Sequence, residues 1–141
     1  MSTALLAALS AMGVAQCLKL IIQLIKAKEL KWSLLSSAGG MPSSHAALVT
    51  ALSVAIALTE GIDSPAFAVS VVLGFIVIHD AHVVRYNAGR HASALNQIKH
   101  QIDPDPPIPL LKESLGHTKI EILVGILLGM AVSFIIVWIF N

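Results

Sequence analysis

The sequence predicts an all-α integral membrane bundle of about four transmembrane helices, the third extended by an amphipathic helix. Three observations predict it. Of 141 residues, 56% are hydrophobic and 12% charged, against about 25% charged in an average soluble protein. Mean hydropathy is +0.83, too apolar for a small soluble domain, which must cover itself with polar side chains. The apolar residues are also gathered into runs rather than scattered. Together these exclude a disordered tail, a disulfide scaffold and an ordinary cytosolic enzyme. Net charge is +1, so no basic excess points to a nucleic acid. The single Cys17 cannot form an internal disulfide. Residues 1–141 read as a single membrane domain.

The first run covers about 4–25 and is interrupted by Gln16 and Lys19. As a helix it reaches about 33 Å, enough for a bilayer core of about 30 Å. It does not read as a cleaved signal peptide, because no Lys or Arg precedes it and it exceeds the usual apolar core of one. Residues 26–44 are polar, with Lys26, Lys28, Glu29 and Lys31, and with Trp32 as an interfacial anchor. The second run, 46–58, is short, so its span is expected over about 43–60. Ser64 and Pro65 then read as an N-cap and a first-turn proline. The third span is expected at about 65–85, continuing as an amphipathic helix over about 80–102. There Val84, Ala88, Ala92, Leu95 and Ile98 recur at helical spacing, and His91 and His100 fall on a wet face. The proline-rich stretch 103–109 ends it. The last span is expected at about 119–140, with Trp138 and Phe140 as anchors and Gly125 and Gly129 as a small-residue face. That face can pack spans or subunits, so a homo-oligomer is possible.

The charged minority is unevenly placed. Apart from Lys19, every Lys and Arg lies in 26–31 or 85–119, whereas the link between spans two and three holds only Glu60 and Asp63. The positive-inside rule then puts 26–44 and 80–119 in the cytoplasm and both termini outside. A phosphate site would also collect basic residues and mimic that bias.

Up-down topology brings three polar clusters to this one face: 39–45 entering span two, 80–85 leaving span three, and 112–121 entering span four. Polar groups at a membrane boundary are expensive unless paired or functional. In the first cluster, Gly39 and Gly40 give a permissive backbone and Pro42 can start a helix. Ser43 and Ser44 then set hydroxyls and N–H groups at a helix N-terminus, an arrangement that suits an anion. His45 follows one turn in and can move a proton. An ordinary Ser cap with an incidental His reads as well. In the last cluster, a helical backbone would put His117 and Glu121 at i,i+4 on one face, where the carboxylate can hold one ring nitrogen. Lys112 lies one turn upstream and can bind phosphate. A solvated boundary turn is the plainer alternative.

Lys19 and Gln16 share a face of span one, and a Lys in hydrocarbon costs about 2.5–3.5 kcal/mol. Facing the polar site, or snorkelling to the interface, would relieve that cost. Asp80 and Arg85 lie about 140° apart on a regular helix, so they are not expected to face the same way. His79 and His82 have a spacing that suits a divalent metal, but no third ligand is fixed, so polar boundary histidines are expected and no metal.

Pro42, Ser43, Ser44 and His45, followed by Leu115, Gly116, His117, Thr118 and Lys119 ahead of an apolar helix, resemble motifs of the type 2 phosphatidic acid phosphatase and vanadium haloperoxidase superfamily. In that superfamily the second motif is Pro-Ser-Gly-His and the third Ser-Arg-x5-His-x3-Asp. The whole chain more closely resembles its divergent branch, small membrane proteins mostly without an assigned substrate. The stretches 15–19, 39–46, 80–85, 95–96 and 111–121 match in order.

The resemblance implies a phosphohistidine mechanism without cofactor or metal. His117 attacks phosphorus, Glu121 is the acid behind it, and His45 protonates the leaving group. Phosphate oxygens fall to Ser43, Ser44, Gly40, Lys112, Lys19 and Arg85, with Asp80, Gln16 and Asn96 in support. Charge spread over those oxygens makes electrostatic positioning the main catalytic effect.

The implied activity is that of a phosphoric monoester or diphosphate hydrolase on a lipid phosphate, from a multi-pass membrane protein with its site on the cytoplasmic face. The alternatives are a small transporter, or a non-catalytic membrane protein that keeps a phosphate pocket. Several positions depart from the superfamily pattern. The chain has no Arg-Pro first motif, for which Lys19 or Lys31 would substitute. Four residues rather than five separate Lys112 from His117. Glu121 replaces Asp, and Lys for Arg loses bidentate phosphate binding. Val83 replaces a small residue usual in the divergent branch.

Overall fold

In a computed structural model of the chain, residues 2–27, 40–102, 109–113 and 115–140 are described. They form five α-helices: α1 (Thr3–Ala27), α2 (Ser44–Glu60), α3 (Pro65–His79), α4 (Arg85–Ile102) and α5 (Lys119–Phe140). A π-helical segment, Asp80–Val84, joins α3 to α4 without a break. No strand occurs among the described residues. Lys31, Trp32 and most of the proline-rich stretch, 103–108, lie outside them.

Three helical stretches are long and apolar enough to cross a membrane: Thr3–Ile25, Pro65–Ile102 and Lys119–Phe140. The second expected span, α2, is shorter, with 17 residues and thus a length of about 25 Å. It is also the central helix, packed against α1, α3 and α5. The predicted bundle is therefore present, with three full-length crossing helices around one shorter apolar helix.

Small residues allow this packing. Ala4, Ala7, Ala8, Ala11 and Ala15 are buried along one stripe of α1. Ala7 meets Ala55 and Ile56 of α2, and Ala11 and Ala15 meet Ala47 and Ala51. On α5, Gly125, Gly129 and Ser133 form the matching stripe, and the Ser133 hydroxyl donates to the Ala51 carbonyl at 3.2 Å. A Cβ on Gly125 would lie 2.5 Å from the Ser43 carbonyl oxygen, and one on Gly129 2.5 Å from that of Ala47. The Gly125 and Gly129 face thus packs two helices of one chain. Small residues suit helix association in lipid, where dispersion and close backbone approach replace the hydrophobic effect. Larger side chains such as Val69, Val72, Phe75 and Ile76 on α3 point outward.

Caps set the helix starts. Ser64 caps α3, accepting from the Phe67 N–H at 3.2 Å, with Pro65 following, as expected. On α4, Asn96 is buried and fixes the return segment: its Nδ2 donates to the Leu111 carbonyl and to Glu113 Oε1, and its Oδ1 accepts from the Leu111 N–H. The Asn96 bond, and after it one from Ser93, hold the Glu113 carboxyl below its ordinary pKa. Asn96 therefore supports the approach to α5. Replacing it by alanine removes three hydrogen bonds, two to the Leu111 backbone and one to Glu113, and should destabilise the protein by about 1–3 kcal/mol. Proteolysis between α4 and α5 measures this directly, with Asn96→Ala cut faster than wild type.

Candidate functional site

The stripe of small residues on α1 continues one turn beyond Ala15, to Lys19. That register turns the lysine inward, and it is 4% exposed. Its stem lies over Gly40, whose φ of +95° suits glycine. Lys19, Gln23, Met41, Thr118 and Glu121 line a cavity of about 420 Å³. Gln16 Nε2 donates to the Ser44 hydroxyl at 3.4 Å. The first helix thus presents Gln16 and Lys19 on one inward face.

The next cluster forms the start of α2. Ser43 is its N-cap, the hydroxyl accepting from the Ala46 N–H at 3.3 Å. The Ser43 N–H donates to the Glu121 carbonyl at 3.0 Å. This backbone bond holds the start of α2 against the first turn of α5. It also commits the Ser43 N–H, which is therefore not free for a phosphate oxygen. Its hydroxyl hydrogen and that of Ser44 remain.

His45 and His117 face each other, with ring centroids 6.2 Å apart and planes nearly perpendicular at 84°. His117 is 1% exposed. Neither of its ring nitrogens has a hydrogen-bond partner among the described residues, and neither does His45 Nδ1. An unmet buried polar atom costs about 1–3 kcal/mol, and native proteins leave few of them. His117 precedes α5 and lies outside the spanning helices. Burial, then the positive charge of Lys19, pushes its pKa down to about 4, with Glu121 opposing and His45 and Arg85 reinforcing. The imidazole is therefore neutral at physiological pH, the state in which a ring nitrogen has a lone pair to give.

Glu121 takes a different part from the one its spacing suggests. α5 begins at Lys119, so His117 is not helical and the i,i+4 pairing does not form. Thr118 caps the helix instead. The Thr118 N–H donates to Glu121 Oε2 at 2.9 Å, and the Glu121 N–H donates to the Thr118 hydroxyl at 3.3 Å. This is a capping box. Glu121 acts on His117 through its charge and through the loop it fixes.

The third cluster supplies the wall. Because Asp80–Val84 is π-helical, Asp80 and Arg85 do meet, with Arg85 Nε donating to Asp80 Oδ2 at 2.7 Å. Regular helical arithmetic separates them, and the wider turn brings them together. Both side chains are more than 40% exposed, so the pair contributes about 0–1 kcal/mol. His82 Nδ1 lies 3.0 Å from the His117 carbonyl oxygen, and the His117 N–H donates to the Ala81 carbonyl at 2.9 Å. His79 is exposed. No group of three or more His, Cys, Asp or Glu among the described residues is placed to hold a metal ion. Lys112 is exposed on the return segment, and the cations acting on His117 are Lys19 and Arg85.

All three polar clusters therefore meet around His117, in a chain whose Ser43 to His45 and Gly116 to Glu121 segments touch across the bundle. A model of the family described as Divergent PAP2 matches residues 1–132. The chain belongs to the Divergent PAP2 family. It is also similar to YuiD, an uncharacterized membrane protein of Bacillus subtilis (strain 168), with 40% identity over 149 residues that cover 96% of this chain and 94% of the relative. No solved structure matches. This Divergent PAP2 member is thus a membrane protein, and the family match includes every residue of the convergent cluster.

Sequence reasoning used Gly116 and Thr118 only as motif residues, without the turn and the cap they form, and missed the Ala81 carbonyl. Thr118 had a signal, the Thr-x-x-Glu spacing of a capping box. The Ala81 carbonyl had none, because backbone acceptors released by a π turn leave no trace in side-chain patterning.

Proposed function

We propose that this protein is a membrane phosphatase that cleaves a lipid phosphate or diphosphate through a phosphohistidine on His117. The observation that carries the reading is the facing pair of His45 and His117 with unpartnered ring nitrogens, beside the buried Lys19. A phosphoryl group seated at the edge of this pair would have both imidazoles beside it. The neutral His117 attacks phosphorus, forming an N–P bond as the P–O ester bond breaks. His45 gives its proton to the leaving oxygen. Water then attacks the phosphohistidine, His45 takes the water's proton, and inorganic phosphate leaves. Lys19, Arg85 and the Ser44 hydroxyl stabilise the charge on the non-bridging oxygens. The apolar walls favour an amphiphilic substrate, and the distribution of basic residues favours a site facing the cytoplasm.

The test is phosphate release by purified protein from phosphatidate or a prenyl diphosphate, with vanadate as inhibitor. Because neutral His117 is the reactive form, the acid limb of kcat/KM falls near pH 4 rather than near an ordinary histidine's 6.5. Lys19 depresses that pKa, so Lys19→Met moves the limb upward. Losing its charge-assisted contact also raises KM by about 10-fold or more. Vanadate binding without release from any phosphate ester would favour a non-catalytic pocket. Phosphate movement across vesicles without hydrolysis would favour a transporter.

A further inference from the structure

The π-helical segment has a specific effect on hydrogen bonding. In a regular helix the Arg85 N–H would bond the carbonyl four residues back, that of Ala81. Here it bonds the Asp80 carbonyl, five back, and the Ala81 carbonyl instead accepts the His117 N–H at 2.9 Å. The next residue, His82, reaches the other backbone polar group of the same residue, its Nδ1 lying 3.0 Å from the His117 carbonyl oxygen. A carbonyl only accepts, so Nδ1 carries the proton and Nε2 does not need to. Both backbone polar groups of His117 are thus held by two consecutive residues of one π turn.

The approach is close on the other side too. Gly116 has φ +81°, and a Cβ there would lie 2.5 Å from the Tyr86 nitrogen. The backbone of His117 is therefore pressed against the base of α4 and fastened on both sides. Its ring makes no hydrogen bond among the described residues, so side-chain contacts of that kind do not orient it. The held backbone and the packing of the buried ring, His45 included, set its direction.

We infer that His82 is a positioning residue, which through its Nδ1–H bond to the His117 carbonyl fixes the attack geometry of the His117 ring, together with the carbonyl that the π turn frees at Ala81. This assigns His82 a role other than metal binding. It rests on the reading of His117 as nucleophile for its catalytic consequence, and on geometry alone for the clamp.

The decisive variants are His82→Leu, which removes the donor, and His82→Asn, whose side-chain N–H can replace Nδ1–H. His82→Leu should lower kcat on a lipid phosphate by about 10- to 100-fold, the scale of a small misplacement, with KM within about 2-fold. His82→Asn should recover most of kcat. A second readout needs no turnover: carbethoxylation of His117 by diethyl pyrocarbonate, followed by mass spectrometry, in detergent-solubilised protein. The buried ring of wild type reacts slowly, His82→Leu reacts about 10-fold faster, and His82→Asn resembles wild type. Should His82→Leu fail to fold, His82→Asp serves, because it is the shape of Asn but presents an acceptor to the carbonyl. Equal modification rates and equal kcat across Asn, Leu or Asp and wild type would overturn the clamp. Faster modification with no turnover even in wild type would keep the clamp and overturn the phosphatase reading.

Discussion

His117→Ala should abolish phosphate release, lowering kcat by about 10,000-fold or more, the scale seen when a nucleophile is removed from a catalytic unit. The reasoning is covalent: without the imidazole there is no N–P bond to form, and water must attack the ester directly. His45→Ala leaves the nucleophile in place and is the milder change, about 100- to 10,000-fold, the usual contribution of a general acid. The measurement is phosphate release at saturating lipid substrate, paired with a thermal scan in detergent. The His117 ring makes no hydrogen bonds among the described residues, so its removal should not unfold the protein. Turnover equal to wild type would eliminate the phosphohistidine mechanism.

Gly125→Val should cost both stability and activity. The first added carbon already meets the Ser43 carbonyl oxygen at 2.5 Å and the Ala46 Cβ at 3.1 Å, and the methyl groups add to that overlap. α5 must then move off α2, at a cost of about 1–3 kcal/mol or more. Ser43 is the N-cap of α2 and the backbone partner of Glu121, so the same movement separates the two halves of the site. Gly13→Ala is the control. Nothing lies within 4 Å of a Cβ at Gly13, and alanine in a helix interior is favoured over glycine by about 0.5–1 kcal/mol. Denaturation in mixed detergent should therefore rank Gly13→Ala at or above wild type and Gly125→Val well below. Equal midpoints for Gly125→Val and wild type would show that the α2 and α5 contact is not tight.

Those features of the fold that follow from hydropathy and local rules were legible in the sequence. The apolar runs gave the helices, Ser64 and Pro65 gave the start of α3, and Gly125 and Gly129 marked the packing face. The convergence of the three polar clusters followed from topology alone, whereas Lys19 was open between facing the polar site and snorkelling, and the buried stripe of α1 turns it inward. Two details of the site depart from regular helical arithmetic, one through a wider turn and one through a helix start. Asp80 and Arg85 were set 140° apart because a π turn was not allowed for. His117 and Glu121 pair only if the backbone is helical through Thr118; α5 starts at Lys119, where the span is expected, and Thr118 engages Glu121 for itself. A helix start competes with a side-chain pair for the same carboxylate, and here the start takes it.

The bond from the Ser43 N–H to the Glu121 carbonyl has a temporal meaning. Ser43 is made well before Glu121, and His117 sits between α4 and α5, bonded to a turn that precedes both. A chain still being synthesised holds His45, Lys19 and the π turn but nothing for them to act with. The facing pair of His45 and His117 comes together only once α5 is seated against α2, so a chain stalled before α5 lacks the assembled cluster.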